Sequence, residues 1–99
     1  MPDPLTDDEI ATALVAHPGW ERIGDEITKT YNIEYHAGIR MIVEIAKVAK
    51  EIGHHPDILR RWDTLTFTVT THDAGYKLTI LDFDLATRID TLATEHGAA

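Results

Sequence analysis

Six histidines fall within these 99 residues, while cysteine and serine are both absent. That inventory excludes serine and cysteine nucleophiles, thiolate zinc sites, iron–sulfur clusters and disulfides. Imidazole remains, the one side chain whose unperturbed pKa, near 6.5, lets it give or take a proton close to neutrality. Three of the six sit at chain punctuation: His54 and His55, followed by Pro56, just past a predicted helix end, and His72 just past a predicted strand end. Side chains at such positions are held by ordered elements yet exposed, which suits a site better than a core. A solvated turn is the plain alternative for any one of them. Three imidazoles also suffice for a catalytic zinc. Against zinc, neighbours such as His54 and His55 point opposite ways in extended chain, and neither H-x-x-x-H nor H-E-x-x-H spacing occurs. His17 before Pro18 suits a helix C-terminus, and His36 and His96 read as solvated. Trp20 is expected in the core, and Trp62 in the core or a pocket wall. No glycine-rich phosphate loop and no G-x-S-x-G motif occurs.

The elements that must position these groups follow from periodicity. Thr6-Asp7-Asp8-Glu9 is a capping box opening a helix over about 7–16, stopped by His17-Pro18-Gly19. Segments 20–23 and 27–33 form a hairpin across Gly24-Asp25. In the second, Ile27, Lys29, Tyr31 and Ile33 share one side. From Glu34 the period becomes helical, with Tyr35, Ile39, Ile42, Ala46 and Ala49 as the main stripe and Met41, Ile45, Val48 and Ile52 widening it, until Gly53. That width hints at a second buried face. Residues 58–62 read as a strand, as do 64–70, where Leu65, Phe67 and Val69 alternate with threonines. Thr79 then caps a last helix, with Asp82 in the capping-box place and Leu81, Leu85, Ile89 and Leu92 as its face. The order is α-β-β-α-β-β-α. It implies an α+β fold, a four-stranded antiparallel sheet with three helices on one face. In such a sheet the start of the third strand and the end of the fourth share an edge, so His54, His55 and His72 are expected to converge.

Ninety-nine residues make one domain, spanning 1–99, that buries about 65% of its unfolded surface. Nine Lys and Arg against seventeen Asp and Glu give a net charge of −8. That field repels a phosphate backbone, and the adjacent pair Arg60-Arg61 is too small a patch to overcome it, so nucleic-acid binding is not expected. No apolar run is long enough to span a membrane, and Met1-Pro2-Asp3-Pro4 lacks the basic-then-apolar order of a signal peptide. A cytoplasmic location is the expectation. The extra apolar width of the second helix, in so small a domain, predicts a homodimer or homotetramer.

Lys50-x-x-x-His54-His55-Pro56, then Trp62, Thr71-His72 and Asp82-x-x-Leu85-Ala86, resemble the pterin-4a-carbinolamine dehydratase family. The likeness runs from Pro18-Gly19-Trp20 to Ile89. It implies the α+β layer above and association into dimers or tetramers. The implied reaction dehydrates 4a-hydroxytetrahydropterin to quinonoid dihydropterin, recycling the pterin after aromatic amino-acid hydroxylation. No metal or other cofactor is implied. Carried over, His54, His55 and His72 match the family's active-site histidines and Asp82 its helix-start aspartate, while Pro56 and Trp62 match residues shaping the pocket. The resemblance assigns His54 and His72 as the acid–base pair and His55 to holding the pterin. Asp82 would orient an imidazole and stabilise its charged form, as carboxylates do in other histidine sites, and also cap its helix. Lys50 stands where animal members have Glu, and Gly53 where several have Asp. The loop after His72 is about one residue longer, through Tyr76-Lys77, than the usual Gly-Gly-Leu-Thr. Some animal members also serve as dimerisation cofactors of a transcription factor, so a non-catalytic regulatory binding module is the alternative function. It needs none of the three histidines.

Overall fold

The computed structural model describes residues 2–99; Met1, part of the N-terminal stretch read above for a leader, lies outside them. The helices are α1 (Asp7–Val15), α2 (Tyr35–Ile52) and α3 (Ile80–Glu95), and the strands are β1 (Glu21–Ile23), β2 (Glu26–Asn32), β3 (Asp57–Arg61) and β4 (Thr64–Val69). A short 3₁₀ turn, His72–Ala74, follows β4. The sheet is antiparallel throughout, in the order β1-β2-β4-β3. The predicted element order and fold class are those observed. Among the described residues no helix is long and apolar enough to cross a membrane.

The alternation in β2 and β4 sorts the two faces of the sheet. Ile27, Tyr31, Leu65, Phe67 and Val69 are buried under the helices. The opposite face is threonine, with hydroxyl pairs Thr28–Thr68 at 3.2 Å and Thr30–Thr66 at 2.8 Å across the β2–β4 ladder. Both predicted capping boxes are present, Thr6 with Glu9 and Thr79 with Asp82. Gly53 ends α2 at φ +68°, a left-handed turn that costs glycine nothing.

Two local readings change. The stripe of α2 that enters the core is Gly38, Met41, Ile45 and Ala49, whereas Tyr35, Ile39, Val43 and Ile52 face outward. Both stripes have helical spacing, and the sheet selects the one with the narrow residues Gly38 and Ala49. β3 ends at Arg61, and Trp62 lies in the turn to β4 at φ +21° instead of inside the strand.

Trp20 is in the core as expected, and its indole Nε1 donates to Asp90 of α3 at 3.1 Å. Lys29 Nζ reaches the same carboxylate at 2.8 Å, and the Tyr31 hydroxyl donates to it as well. Three donors from the sheet side thus tie down the middle of α3. Burial, with the Asp90 carboxylate beside it, pushes the Tyr31 phenol above its usual range.

Candidate active site

The register of β3 against β4 sets Asp57 opposite Thr68, which brings the chain before β3 and the chain after β4 to one end of the sheet. The first N-terminal turn of α3 lies beneath that end. His54, His55 and Gly53 from the α2–β3 connection line a cavity of about 370 Å³ with Thr70, Thr71, His72 and Asp73 from the β4–α3 connection. Leu81 and Pro2 complete its walls. The volume lies in the range that takes a small bicyclic ligand. The three histidines predicted to converge do share this cavity.

They are held in different ways. His55 and His72 are exposed, as expected for element ends. His54 is not: it is only 8% exposed, which corrects that expectation. The reason is Asp82, whose carboxylate is fully buried and accepts from His54 Nε2 at 2.7 Å. The other oxygen of Asp82 accepts from Thr71 Oγ1 at 2.8 Å and from the Thr79 amide at 2.9 Å. Thr79 Oγ1 lies 2.7 Å from Thr71 Oγ1 and accepts from the Leu81 amide. The carboxylate can only accept, so the single Thr71 hydroxyl proton is donated to Asp82, and the Thr79 hydroxyl in turn donates to Thr71. Three donors thereby converge on the buried carboxylate, at least one on each oxygen. His54 must carry a proton on Nε2 to join the set, which leaves Nδ1 as the nitrogen free to exchange a proton with a ligand.

Asp82 does not line the cavity. It reaches the site through His54, while also capping α3 as the sequence indicates. His72 has no hydrogen bond to its ring among the described residues; its contact is the ring of Tyr76, 4.8 Å between centroids and tilted by 37°. Pro56 directly precedes β3 and half-exposed, beside the cavity but not among the residues lining it. Trp62 lies elsewhere. Five strand residues separate it from the histidine end, about 17 Å at strand rise. It lines a separate groove with Glu34, Tyr35, His36 and Asp63, its ring 5.8 Å from that of Tyr35. Within one chain Trp62 does not touch the histidine cavity, because β3 carries it to the other end of the sheet.

The remaining histidines are accounted for by local bonds. His17 Nδ1 lies 2.7 Å from the Ala13 carbonyl and Nε2 lies 3.0 Å from Thr87 Oγ1, tying α1 to α3. His96 Nδ1 is 2.8 Å from the Leu92 carbonyl. His36 is exposed beside Glu34, whose carboxyl is held below its usual range chiefly by the His36 backbone amide. Sequence reasoning assigned no role to Thr71. The signal was available in its spacing, a hydroxyl beside His72 and eight residues before the capping Thr79. Its meaning depended on how the chain closes. Among the described residues no group of three or more His, Asp or Glu side chains comes close enough to enclose a metal ion.

The family profile described as pterin 4 alpha carbinolamine dehydratase matches residues 3–92. A relative from Nocardia farcinica, carrying a pterin-4-alpha-carbinolamine dehydratase name, is 51% identical over 90 residues, which is 90% of this chain and 94% of that one. A second with the same name, from Streptomyces avermitilis, is 42% identical over 98% of this chain and 97% of its own. A crystal structure from Brucella melitensis, titled transcriptional coactivator/pterin dehydratase, superposes with a TM-score of 0.87 over 92% of this chain and 99% of that one. At 24% identity that likeness speaks for the fold. The extent of the profile match and the identity to these relatives show that the chain belongs to the pterin-4a-carbinolamine dehydratase family.

Proposed function

We propose that this protein dehydrates a 4a-hydroxytetrahydropterin to the quinonoid dihydropterin and water, by histidine acid–base catalysis. The observation that carries the reading is the His54–Asp82 pair set in the wall of a cavity that His55 and His72 also line. Family membership and the names of the relatives support the substrate class. The reaction breaks the bond from the ring carbon to its hydroxyl oxygen. The lone pair of the neighbouring ring nitrogen forms a C=N bond, that nitrogen loses its proton, and the departing oxygen gains one to leave as water. One group must deliver a proton and another remove one. His54, presenting Nδ1, and His72 take these two roles, each worth on the order of 10²–10⁴ in rate. His55 holds the ring system, and Asp82 positions His54 from behind. Removal of the carbinolamine serves recycling of a pterin cofactor. Association into a homodimer or homotetramer belongs to the same reading, supported by the apolar side chains Ile39 and Val43 exposed on α2.

The test is the rate of 4a-hydroxytetrahydropterin dehydration with wild-type protein and with three alanine variants, before and after exhaustive chelation. The His54→Ala and His72→Ala proteins are expected to lose kcat and kcat/KM together, and His55→Ala to raise KM with a smaller change in kcat. Chelation should change nothing. Full turnover by both the His54 and His72 variants would refute the assignment. Loss on chelation with recovery on zinc would instead establish metal chemistry. A binding module without catalysis would show no acceleration in any form.

A further inference from the structure

We infer that Tyr76 is a positioning residue for His72, holding the imidazole toward the cavity by ring stacking. The inference rests on the role proposed for His72 above. His54 is fixed by Asp82, but the His72 ring is exposed and has no hydrogen bond among the described residues. Free to turn, such a ring spreads over three χ1 wells, and a proton-transfer group is useful in one. The Tyr76 ring against it, at 4.8 Å, supplies the missing restraint.

The backbone at Tyr76 argues that this contact is the reason for the tyrosine. Tyr76 has φ +61°, directly after Gly75 at φ +75°. A bulky residue is a conformational outlier there, and glycine would be favoured. No hydrogen bond of its side chain compensates among the described residues. Tyr76 is 64% exposed, its hydroxyl has no partner among the described residues, and it does not line the cavity. The turn itself is held by other atoms. The Tyr76 amide donates to the Thr71 carbonyl at 3.1 Å, the Thr71 amide donates to the Lys77 carbonyl at 3.1 Å, and Lys77 Nζ pairs with Asp25 at 3.0 Å. These bonds need no aromatic side chain at position 76. The ring also presents a π face that favours a cationic partner, so the stack remains attractive when His72 carries its second proton.

The experiment measures kcat, KM and Tm for Tyr76→Gly and Tyr76→Phe, each in the wild-type and the His72→Ala background. Restoring rotamer freedom costs about threefold, and loss of the π face adds a few-fold more. Tyr76→Gly is therefore expected to lower kcat by about three- to tenfold, with KM within about twofold and Tm unchanged or raised. Tyr76→Phe keeps the ring and should stay within about twofold of wild type. In the His72→Ala background Tyr76→Gly should change kcat no further, because its target is gone. Unchanged turnover in Tyr76→Gly, equal damage from Tyr76→Phe, or a Tm lowered by several degrees in Tyr76→Gly would each overturn the inference. If His72→Ala itself turns over fully, the catalytic reading of His72 fails and the inference with it. If His72→Ala is impaired and Tyr76→Gly is not, the inference alone fails.

Discussion

Replacing Asp82 by asparagine changes one atom of the carboxylate and separates its two duties. One oxygen accepts from Thr71 and the Thr79 amide, the other from His54 Nε2. The asparagine carbonyl can satisfy the first pair of donors only by turning its NH₂ toward His54. Two donors then face each other, unless His54 moves its proton to Nδ1 and accepts from the amide. The fold keeps most of its bonds but loses their charge assistance, about 1–2 kcal/mol. In a domain this small that lowers Tm by roughly 5–15 °C. The chemistry fares worse, because Nδ1, the nitrogen not bonded to residue 82, is then a neutral N–H unable to take a proton. A fall in kcat of about 10²–10⁴ is expected. Asp82→Ala removes the acceptor altogether and strands three buried donors, at a cost of about 3–5 kcal/mol. Melting by circular dichroism and the initial rate of carbinolamine dehydration measure the two effects separately. Should Asp82→Asn retain kcat within twofold while its Tm falls, Asp82 is a helix cap and no more, and the tautomer argument is wrong.

Two further outcomes follow from the geometry. The Tyr31 phenol, raised by burial and by Asp90, should stay protonated in the folded protein above the ordinary tyrosine range, near pH 10. Its contribution to stability is full below the unfolded pKa and is lost as pH rises toward the folded one. Alkaline absorbance of wild type compared with Tyr31→Phe should therefore assign to Tyr31 a step that appears only on unfolding; a Tyr31 step near pH 10 in folded protein would refute this. The outward apolar residues of α2, Ile39 and Val43, predict self-association. Light scattering at micromolar concentration should give a dimer or tetramer that Val43→Glu dissociates, and a wild-type monomer would overturn it.

Much of the fold was legible because its signals are local. Alternation in residues 27–33 and 64–69, the two threonine-led capping boxes and Gly53 each fix an element without reference to the rest. Antiparallel pairing of the third and fourth strands then predicted that His54, His55 and His72 meet. What stayed hidden depends on distant partners. The burial of His54 comes from a carboxylate 28 residues away. The core stripe of α2 was misread because periodicity gives the angle between Ile39 and Met41 but not which of them the sheet covers. Trp62 was grouped with the histidines through family likeness, and only the length of β3 shows it at the other end. The role of Thr71 required knowing that Thr79 folds back beside it.

The triple anchorage of Asp90 has a consequence for how disturbances travel through this molecule. Asp82 and Asp90 lie on one helix eight residues apart, about 12 Å along its axis. A tilt of about 5° pivoting at the anchored turn would swing the first turn by roughly 1 Å. Displacements of that size between reacting groups cost about 100-fold in rate. α3 therefore behaves as a lever with its fulcrum in the sheet. Substitutions at Trp20, Lys29 or Tyr31, none of which lines the cavity, can misalign His54 while every group around the ligand keeps its identity. Distance from the cavity is thus a poor guide to which side chains the site can spare.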